Sequence, residues 1–356
     1  MPDPPIDYLI IGQGLAGTTL AWALLRRGVR VLVLDAGEAS TCSRVAAGLI
    51  TPITGRRLAI SWRAAETLPA AWRFYQAIER ETGARFAHGL PVARFFPAGS
   101  PAAAMWEKRR ADPAYAPFIG GVDAAPPPGG LPGGYAGFAM RGSGFLDTAA
   151  YLDASRAAFA ARGAHQTATV AAAAVKPMPD GGVAVDGTAL RAKAAVFCEG
   201  YRGAANPHFS WLPFKGAKGE ILDLRLAAGF PRDRILNGSG SWVLPDARGG
   251  FRAGSNYEFG ATDPTPTDAG RAEVERALQT WFRAPYEVAG QRAGIRPIIR
   301  ASKVAIGRHP AHPQLAIFNG LGSKGSMNAP YFAEQFAAHL EGAGAIDADV
   351  DIRRNF

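Results

Sequence analysis

Three glycines near the amino terminus have the type and spacing of a dinucleotide site. Gly12, Gly14 and Gly17 form a G-x-G-x-x-G turn between an apolar strand, residues 6–11, and an apolar-periodic helix that extends to Leu25. The first glycine permits the tight turn, the second lets the backbone approach a pyrophosphate, and the third allows close packing of helix on strand. The amino terminus of the helix would offer unpaired N–H groups to the phosphates.

An acid follows at the distance that such a site requires. A second apolar strand, residues 29–35, ends at Asp35, about 20 residues beyond Gly14, where a carboxylate can accept hydrogen bonds from ribose hydroxyl groups. Strand, turn, helix, strand and acid in this order predict a βαβ unit that binds a dinucleotide. At this point the dinucleotide could be NAD or FAD, and the alternative is an ordinary βαβ unit with a glycine-rich turn.

Length and composition indicate a globular protein of two domains. The chain has 356 residues, of which 48% are hydrophobic and 19% charged, so it can bury a large core. No apolar run is long enough to span a bilayer. The amino terminus lacks a basic-then-apolar signal region, so we expect a cytoplasmic protein. Cys42 and Cys198 form no CxxC pair, and the histidines have no ligand spacing, so we expect no metal site.

The net charge of +9 allows an acidic partner, including nucleic acid. Lysine and arginine are nevertheless scattered, in short clusters without interleaved aromatic residues. We therefore favour a basic surface without a specific role over a nucleic-acid interface.

The pattern beyond Asp35 predicts two alternating kinds of segment. Helical periodicity occurs at 61–81, after Asp147 to about residue 163, and at 268–282, with a strand near 166–172. Short strand-like pieces and loops rich in proline and glycine, notably 124–134, fill 86–144, and antiparallel strands, among them 251–258, fill 213–290. We expect an α/β protein with a discontinuous Rossmann-type domain (1–85, 145–212 and 291–356). Its second domain (86–144 and 213–290) would carry a mixed or antiparallel sheet that binds substrate.

Two further segments could contact a large anionic or planar ligand. In the segment 43–49, Ser43 and Arg44 could reach phosphate, while the small residues Ala47 and Gly48 leave room for a ring system. The alternative is a plain loop that enters a helix. Near the carboxyl end, the glycine-rich loop 320–326 lies between a strand and a final helix predicted at 329–340, as in an anion-binding turn.

Four ordered blocks together resemble a known family. They are the βαβ unit, the segment Ser43-Arg44-Val45-Ala46-Ala47-Gly48, the block Gly294-Ile295-Arg296-Pro297, and the turn Gly320-Leu321-Gly322-Ser323-Lys324-Gly325. The sequence resembles the FAD-dependent D-amino-acid oxidase family over almost the whole chain, with glycine oxidase, sarcosine oxidase and D-amino-acid dehydrogenase among its members. The last turn is also similar to that of the oxidase domain of a bifunctional tRNA-modifying enzyme.

The resemblance implies FAD as the cofactor and assigns residues to it. Gly12, Gly14 and Gly17 would hold the pyrophosphate, Asp35 the ribose, and Ser43 and Arg44 would approach phosphate. The remaining cofactor contacts implied by the resemblance are Ala47, Gly48, Leu49, Val170, Gly200, Gly322, Ser323, Lys324 and Gly325.

Three residues are candidates for the chemistry itself. Arg296 matches the arginine that holds a substrate carboxylate in several family members, with a structural salt bridge as the alternative. Lys324 could stabilise charge that grows on the flavin, or be a solvated loop lysine. Tyr257 could bind substrate, although a core tyrosine is an equally good interpretation.

Three functions remain open from the sequence. The first is oxidation of the C–N bond of a small amine or amino acid by hydride transfer to flavin N5, giving an imine that hydrolyses. The second is a flavin-dependent oxidase that acts on a modified tRNA base. The third is a flavin-binding protein without turnover.

Overall fold

The fold is taken from a computed structural model that describes residues 6–121, 134–179, 181–238, 240–299 and 303–355. Residues 124–133 of the predicted proline- and glycine-rich loop lie outside these ranges.

The described residues form an alternating series of strands and helices. The strands are β1 (Ile6–Ile11), β2 (Val31–Asp35), β3 (Leu49–Ile50), β4 (Ile53–Thr54), β5 (Ala59–Ile60), β6 (Ala87–Gly89), β7 (Val92–Pro97), β8 (Ile119–Gly121), β9 (Tyr135–Met140), β10 (Gly144–Leu146), β11 (His165–Thr167), β12 (Val175–Pro177), β13 (Val183–Val185), β14 (Arg191–Phe197), β15 (Phe214–Leu226), β16 (Ile235–Asn237), β17 (Trp242–Pro245), β18 (Phe251–Gly254), β19 (Glu258–Phe259), β20 (Tyr286–Ile299), β21 (Ala305–Arg308) and β22 (Leu315–Asn319). The helices are α1 (Leu15–Leu25), α2 (Cys42–Val45), α3 (Ala64–Thr82), α4 (Pro101–Arg110), α5 (Thr148–Ala161), α6 (Asp268–Gln279), α7 (Gly325–Leu340) and α8 (Ile352–Asn355), with 3₁₀ turns at Pro113–Phe118, Ala172–Ala174 and Gly200–Ala205.

The first sheet contains the predicted βαβ unit. Its order is β11-β2-β1-β14-β13-β12, and β22 pairs with β14 and with β21. β1 is parallel to β2 and β14, and β14 is parallel to β22. The central strands are apolar on both faces, because helices α1 and α7 cover one face and Phe209, Leu212 and Ile352 pack against the other. Leu9, Ile10 and Val33 have no exposed surface. The carboxyl ends of these parallel strands therefore meet at one edge, where ligands of such sheets bind.

The second sheet, called the roof sheet below, has the order β19-β15-β18-β17-β16-β7-β9-β8, with β20 paired to β15. It is antiparallel except for the parallel pair β16 and β7. Helix α6 packs Val274 and Leu278 against its outer face. The expected two-domain α/β fold is thus present. The predicted domain boundaries stay a prediction, and strand β20, in the roof sheet, continues past the predicted boundary at residue 290.

The final helix begins at Gly325, four residues before its predicted start. Proline is favoured in the first turn of a helix, whereas Pro330 lies in the second turn of α7. Within α7 the proline has no N–H to donate to the carbonyl of Ser326. The Tyr75 hydroxyl donates to that carbonyl instead, at 3.0 Å, so the helix tolerates the proline through a contact that the local sequence does not contain.

Two predicted strands are wrong in extent. The strand predicted at 166–172 ends at Thr167, because the chain then leaves the sheet, with the Ala168 N–H donating to the carbonyl of Asp35, and lines a cavity with residues 168–170. The strand predicted at 251–258 ends at Gly254, so Tyr257 lies in a loop before β19. Among the described residues, no helix combines the length and apolar character needed to cross a membrane.

Candidate functional site

A cavity of about 660 Å³ lies between the carboxyl edge of the first sheet and the roof sheet. This volume is typical of small-molecule and cofactor sites. Both sheets contribute to its lining. The contributing segments are 11–12, 14–16, 34–36, 38, 40–43, 45–49, 51, 53–56, 168–170, 198–202, 293–297 and 321–326, with single residues elsewhere, most of them from the roof sheet.

The glycine turn opens onto this cavity. A Cβ on Gly12, whose φ is +102°, would lie 2.7 Å from the carbonyl oxygen of Cys198, and one on Gly17 would lie 1.9 Å from that of Gly12. Both positions therefore require glycine. Gly14 is the N-cap of α1 and contributes no side chain there. The first N–H groups of the helix consequently face the cavity, with their positive dipole end toward any bound anion.

Asp35 lies at the edge of the cavity, where backbone N–H groups of Gln13 and Gly37 donate to its carboxylate at 2.7 and 2.8 Å. The guanidinium of Arg156 on α5 is 3.0 Å away. A carboxylate has about four acceptor positions, so capacity remains for a ribose hydroxyl. Arg156 also donates to the buried side chain of Gln13 at 2.6 Å. No local pattern indicated this arginine, which is 121 residues from Asp35 along the chain.

Ser43 and Arg44 take different directions. The Leu15 N–H donates to the Ser43 hydroxyl at 3.0 Å, which leaves the hydroxyl proton of Ser43 available beside the helix terminus. The Arg44 guanidinium instead pairs with Asp153 at 2.5 Å, and Arg44 is absent from the cavity lining. Its approach to phosphate stays a prediction that would require this ion pair to open.

The other predicted contacts of the adenosine and flavin halves line the cavity. Ala47, Gly48, Leu49 and Val170 do so directly. A Cβ on Gly48 would lie 1.8 Å from the carbonyl oxygen of Leu146, so the close approach of this segment to β10 needs glycine.

The chain also lines the cavity just after β14. The Gly200 carbonyl accepts a hydrogen bond from the side chain of Asn319 at 2.9 Å. Glu199, which had no predicted role, adds a buried carboxyl there, and burial raises its pKa although Asn206 donates to it at 2.6 Å.

The loop before α7 places a second helix terminus at the cavity. Gly322, Ser323, Lys324 and Gly325 all line it. The Lys324 ammonium donates to the Thr51 hydroxyl at 2.9 Å. Removal from water lowers the pKa of Lys324 to about 7, and the nearby positive charge of Arg94 contributes. Lys324 is therefore not a solvated loop lysine, which was the alternative interpretation of the sequence.

Arg296 projects from β20 over Gly219 of β15, which has no side chain. A Cβ on Gly219 would lie 1.9 Å from its Nη2 atom, so the guanidinium occupies the space of the missing side chain. Its Nη2 donates to the Ser255 hydroxyl at 2.7 Å, and Nη1 donates to the carbonyls of Lys218 and Asn256 at 3.2 Å. No described carboxylate lies within ion-pair distance. The alternative of a structural salt bridge thus has no partner in the described ranges.

Tyr257 covers the guanidinium of Arg296, with 4.0 Å between the guanidinium carbon and the ring centroid. This is a cation–π contact. The ring is 46% exposed, so Tyr257 is a residue of the cavity mouth and not the core tyrosine of the alternative interpretation.

Arg94 on β7 is a further cavity residue that the sequence analysis missed. A signal for it exists in the sequence, since a single arginine stands inside an otherwise buried strand. Cations are rare in such positions unless they are paired.

Comparisons with known proteins agree on one family and one fold. A profile described as FAD dependent oxidoreductase matches residues 7–339. The bifunctional tRNA 5-methylaminomethyl-2-thiouridine biosynthesis protein MnmC of Azoarcus sp. (strain BH72) is 26% identical over 94% of this chain, and the match covers 56% of that protein. The chain therefore spans little more than half the length of this relative.

Two solved structures are similar over nearly their whole length. Glycine oxidase from Geobacillus kaustophilus has a TM-score of 0.79 at 18% identity, with 96% of each chain covered. Iminodiacetate oxidase from Chelativorans sp. BNC1 has a TM-score of 0.78 at 20% identity, with 95% of this chain and 96% of that chain covered. At these identities the similarity establishes the fold.

Proposed function

Because the chain belongs to the FAD-dependent oxidoreductase family, we propose that it oxidises the C–N bond of a small amine or amino acid that carries a carboxylate. The observation that carries the proposal is Arg296, a guanidinium at the cavity without a carboxylate partner among the described residues. The solved structures of a glycine oxidase and an iminodiacetate oxidase support the same class of substrate.

The residues of the cavity fit FAD. Two helix amino termini, those of α1 and α7, reach the lining without a side-chain cap. Two glycines, Gly12 and Gly17, hold the turn where a side chain would collide with backbone. We assign the pyrophosphate to Gly12, Gly14 and Ser43, and the ribose to Asp35. Ala47, Gly48, Leu49 and the loop 322–325 would surround the flavin, with Val170 and Gly200 on the adenosine side.

FAD, when bound, accepts the two electrons that leave the substrate. The C–N single bond of the substrate becomes an imine, which water then hydrolyses. The protein's task is orientation and electrostatics. The Arg296 guanidinium would hold the substrate carboxylate by two parallel hydrogen bonds and so fix the carbon to be oxidised. Tyr257 restricts the guanidinium from one side.

Lys324 would add positive charge where negative charge grows during reduction, together with the N–H groups at the start of α7. Its ammonium is oriented by Thr51. With a pKa of about 7, this lysine can also lose or regain a proton near neutral pH.

Anaerobic reduction of the flavin tests the proposal. The FAD-loaded protein is mixed with D-amino acids, N-methyl amino acids and glycine in the absence of dioxygen, and bleaching of the visible flavin absorption is followed. We expect at least one of these classes to bleach it. Absence of bleaching with every carboxylate-bearing amine would contradict the proposal.

Arg296→Met tests the role of the guanidinium. We expect KM for the carboxylate substrate to rise about tenfold to hundredfold while FAD stays bound, since a charge-assisted bidentate contact is lost. Arg248→Gln, which removes an exposed arginine from the turn between β17 and β18, is the matched control. A KM equal to that of the wild type would remove Arg296 from the substrate site.

A modified tRNA base is the second candidate substrate. Its support is the 26% identity to a tRNA-modifying bifunctional protein, together with the net charge of +9. Retention of tRNA that weakens steeply with salt would favour it, whereas bleaching by free amino acids without tRNA retention favours the small substrate. The cytoplasmic location expected from the sequence stays a prediction, which cell fractionation would test.

A further inference from the structure

The part of the cavity next to the roof sheet contains a second arginine, Arg94. The role proposed for Arg296 does not account for it. Arg94 lines the cavity from β7, the strand next to β16 in the roof sheet. Its Nη1 donates to the Asn237 side chain at 2.9 Å, and its Nη2 donates to the carbonyl of Gly55 at 3.3 Å. Both partners are neutral, so the positive charge has no counter-ion among the described residues.

The hydrogen-bonding capacity of Arg94 is also incompletely used. A guanidinium has five N–H donors, and the contacts with Asn237 and Gly55 account for two of them. The buried Nε atom has no partner. A buried cation with unused donors is costly unless an anion completes it, so the arrangement lacks a ligand group.

Other positive charge lies on the same side of the cavity. The positive charge of Arg94 contributes to the lowered pKa of Lys324, so the two cations are near each other. Arg56 lines the cavity from the loop that also contains the carbonyl acceptor of Arg94. The acids of the lining lie at or just after the ends of β2 and β14 of the first sheet: Asp35 pairs with Arg156, Glu38 pairs with Arg202, and Glu199 accepts from Asn206. An anion near Arg94 would therefore meet only positive or neutral groups from the described roof strands.

The guanidinium groups of Arg94 and Arg296 lie beside different strands of the roof sheet. The guanidinium of Arg94 lies beside Asn237 on β16, whereas that of Arg296 lies over Gly219 on β15 and beside Ser255, just after β18. Strand β17 separates β16 from β18. Two strand spacings amount to roughly 10 Å, so one carboxylate is expected to contact only one of the two guanidinium groups.

Two apolar side chains line the cavity in this part of the roof sheet. Trp242 on β17 and Ile221 on β15 lie on either side of Gly254 on β18 and are otherwise buried. A hydrocarbon segment of a ligand could lie across them, with one anionic group at each end.

We propose that Arg94 forms a second anion site, so that the substrate is an amine with two anionic groups. The carboxylate held by Arg296 is joined through a short apolar segment to a second carboxylate or a phosphate held by Arg94. This inference rests on the proposed function for the first carboxylate, and Arg94 acts as a specificity-determining residue.

Ligands that cannot be oxidised test the site without turnover. Thioethers with sulfur in place of the amine nitrogen carry a carboxymethyl group on one side and, on the other, a carboxylate after one to four methylene groups. Each diacid is paired with the monoamide in which the second carboxylate is a carboxamide. Binding to the FAD-loaded protein is followed by the change in the visible flavin spectrum.

The wild type should bind at least one diacid about tenfold or more tightly than its monoamide. Arg94→Gln should abolish this preference without changing the affinity for the monoamide or the FAD content, Arg94→Lys should keep part of it, and Arg248→Gln should keep all of it. A phosphonate in place of the second carboxylate distinguishes the two anions, since a phosphate site would bind the phosphonate more tightly than the diacid.

Absence of a diacid or phosphonate preference at every length would overturn the second anion site. A preference retained by Arg94→Gln, or FAD lost from both Arg94 variants, would also overturn it. Arg296→Met separates this inference from the proposed function, because it should weaken diacid and monoamide alike. If Arg296→Met changes neither ligand while Arg94→Gln removes the preference, the role of Arg296 fails and the second site stands.

Discussion

At the scale of single residues, the cavity is defined by cations that lack carboxylate partners. Arg296 and Arg94 find only neutral acceptors among the described residues, and Lys324 donates to a hydroxyl. Other arginines pair with acids, as Arg44 does with Asp153 outside the cavity. Like charges without counter-ions destabilise the ligand-free protein. The most direct explanation is an anionic ligand that completes them.

Lys324 should therefore make the stability of the FAD-free protein depend on pH. Its pKa is about 7 in the fold and 10.5 ordinarily. Between these values the unfolded chain binds more protons than the folded one, so stability rises with pH across this window. The Lys324→Met variant lacks this pH-dependent contribution to stability. The melting temperature of the wild type should consequently rise relative to that of the variant from pH 7 to pH 9.5, as measured by thermal denaturation.

Lys108→Met, on an exposed face of α4, provides the matched control for loss of a lysine. The difference in melting temperature between Lys108→Met and the wild type should not change with pH as that of Lys324→Met does. A constant difference between wild type and Lys324→Met across this range would show that Lys324 keeps its ordinary proton affinity in the fold.

At the scale of elements, some helices and strands were predictable from local patterns in the sequence, and others depend on distant contacts. The βαβ unit and helix α5, which begins after its predicted N-cap Asp147, follow local rules of spacing and capping. Helix α7 does not, because Pro330 is accommodated through Tyr75, which is 251 residues from its acceptor Ser326. Such a contact has no local signal, so the start of α7 was predicted too late.

Gly14→Val should remove FAD without unfolding the protein. A Cβ at Gly14 would already approach the Ser43 hydroxyl to 3.2 Å, and the two methyl groups of valine would occupy the space that we assign to the pyrophosphate. We expect colourless protein with an unchanged far-ultraviolet circular dichroism spectrum.

Gly89→Val on β6 is the control, since a Cβ there meets nothing within 4 Å. This variant should remain yellow. A Gly14→Val protein that also retained flavin would disprove the assignment of the glycine turn to the pyrophosphate.

At the scale of the whole molecule, the cavity lies between the two sheets and is lined by both. Its lining combines the carboxyl ends of β1 and β2 with roof strands such as β15 and β17. A ligand that fills both halves binds only the folded arrangement, so it should stabilise the protein by mass action, by about 1.4 kcal/mol for each tenfold increase in free ligand above its Kd.

FAD should accordingly raise the melting temperature of the stripped protein more than ADP does at the same free ligand concentration, because contacts with the flavin half lower the Kd. ADP can occupy only the half beside Asp35 and the glycine turn, whereas FAD would also contact the roof sheet. Thermal denaturation over a series of ligand concentrations measures the difference. Equal shifts for FAD and ADP would mean that the flavin half makes no stabilising contact.

The sequence by itself determined the βαβ unit, the family and part of the cavity lining. Gly12, Gly14, Gly17 and Asp35 were identifiable because turn, helix terminus and acid lie within one short segment, where spacing along the chain fixes spacing in space. The glycine-rich loop before α7 was identifiable for the same reason.

Only the tertiary structure decided how the charged groups are paired. Arg156 reaches Gln13 across 143 residues, and Lys324 reaches Thr51 across 273. The same packing placed Arg44 on Asp153 and left Arg296 and Arg94 without acids in the described ranges. Whether a cation finds a carboxylate depends on which distant segments the fold brings together, and no local pattern encodes that choice.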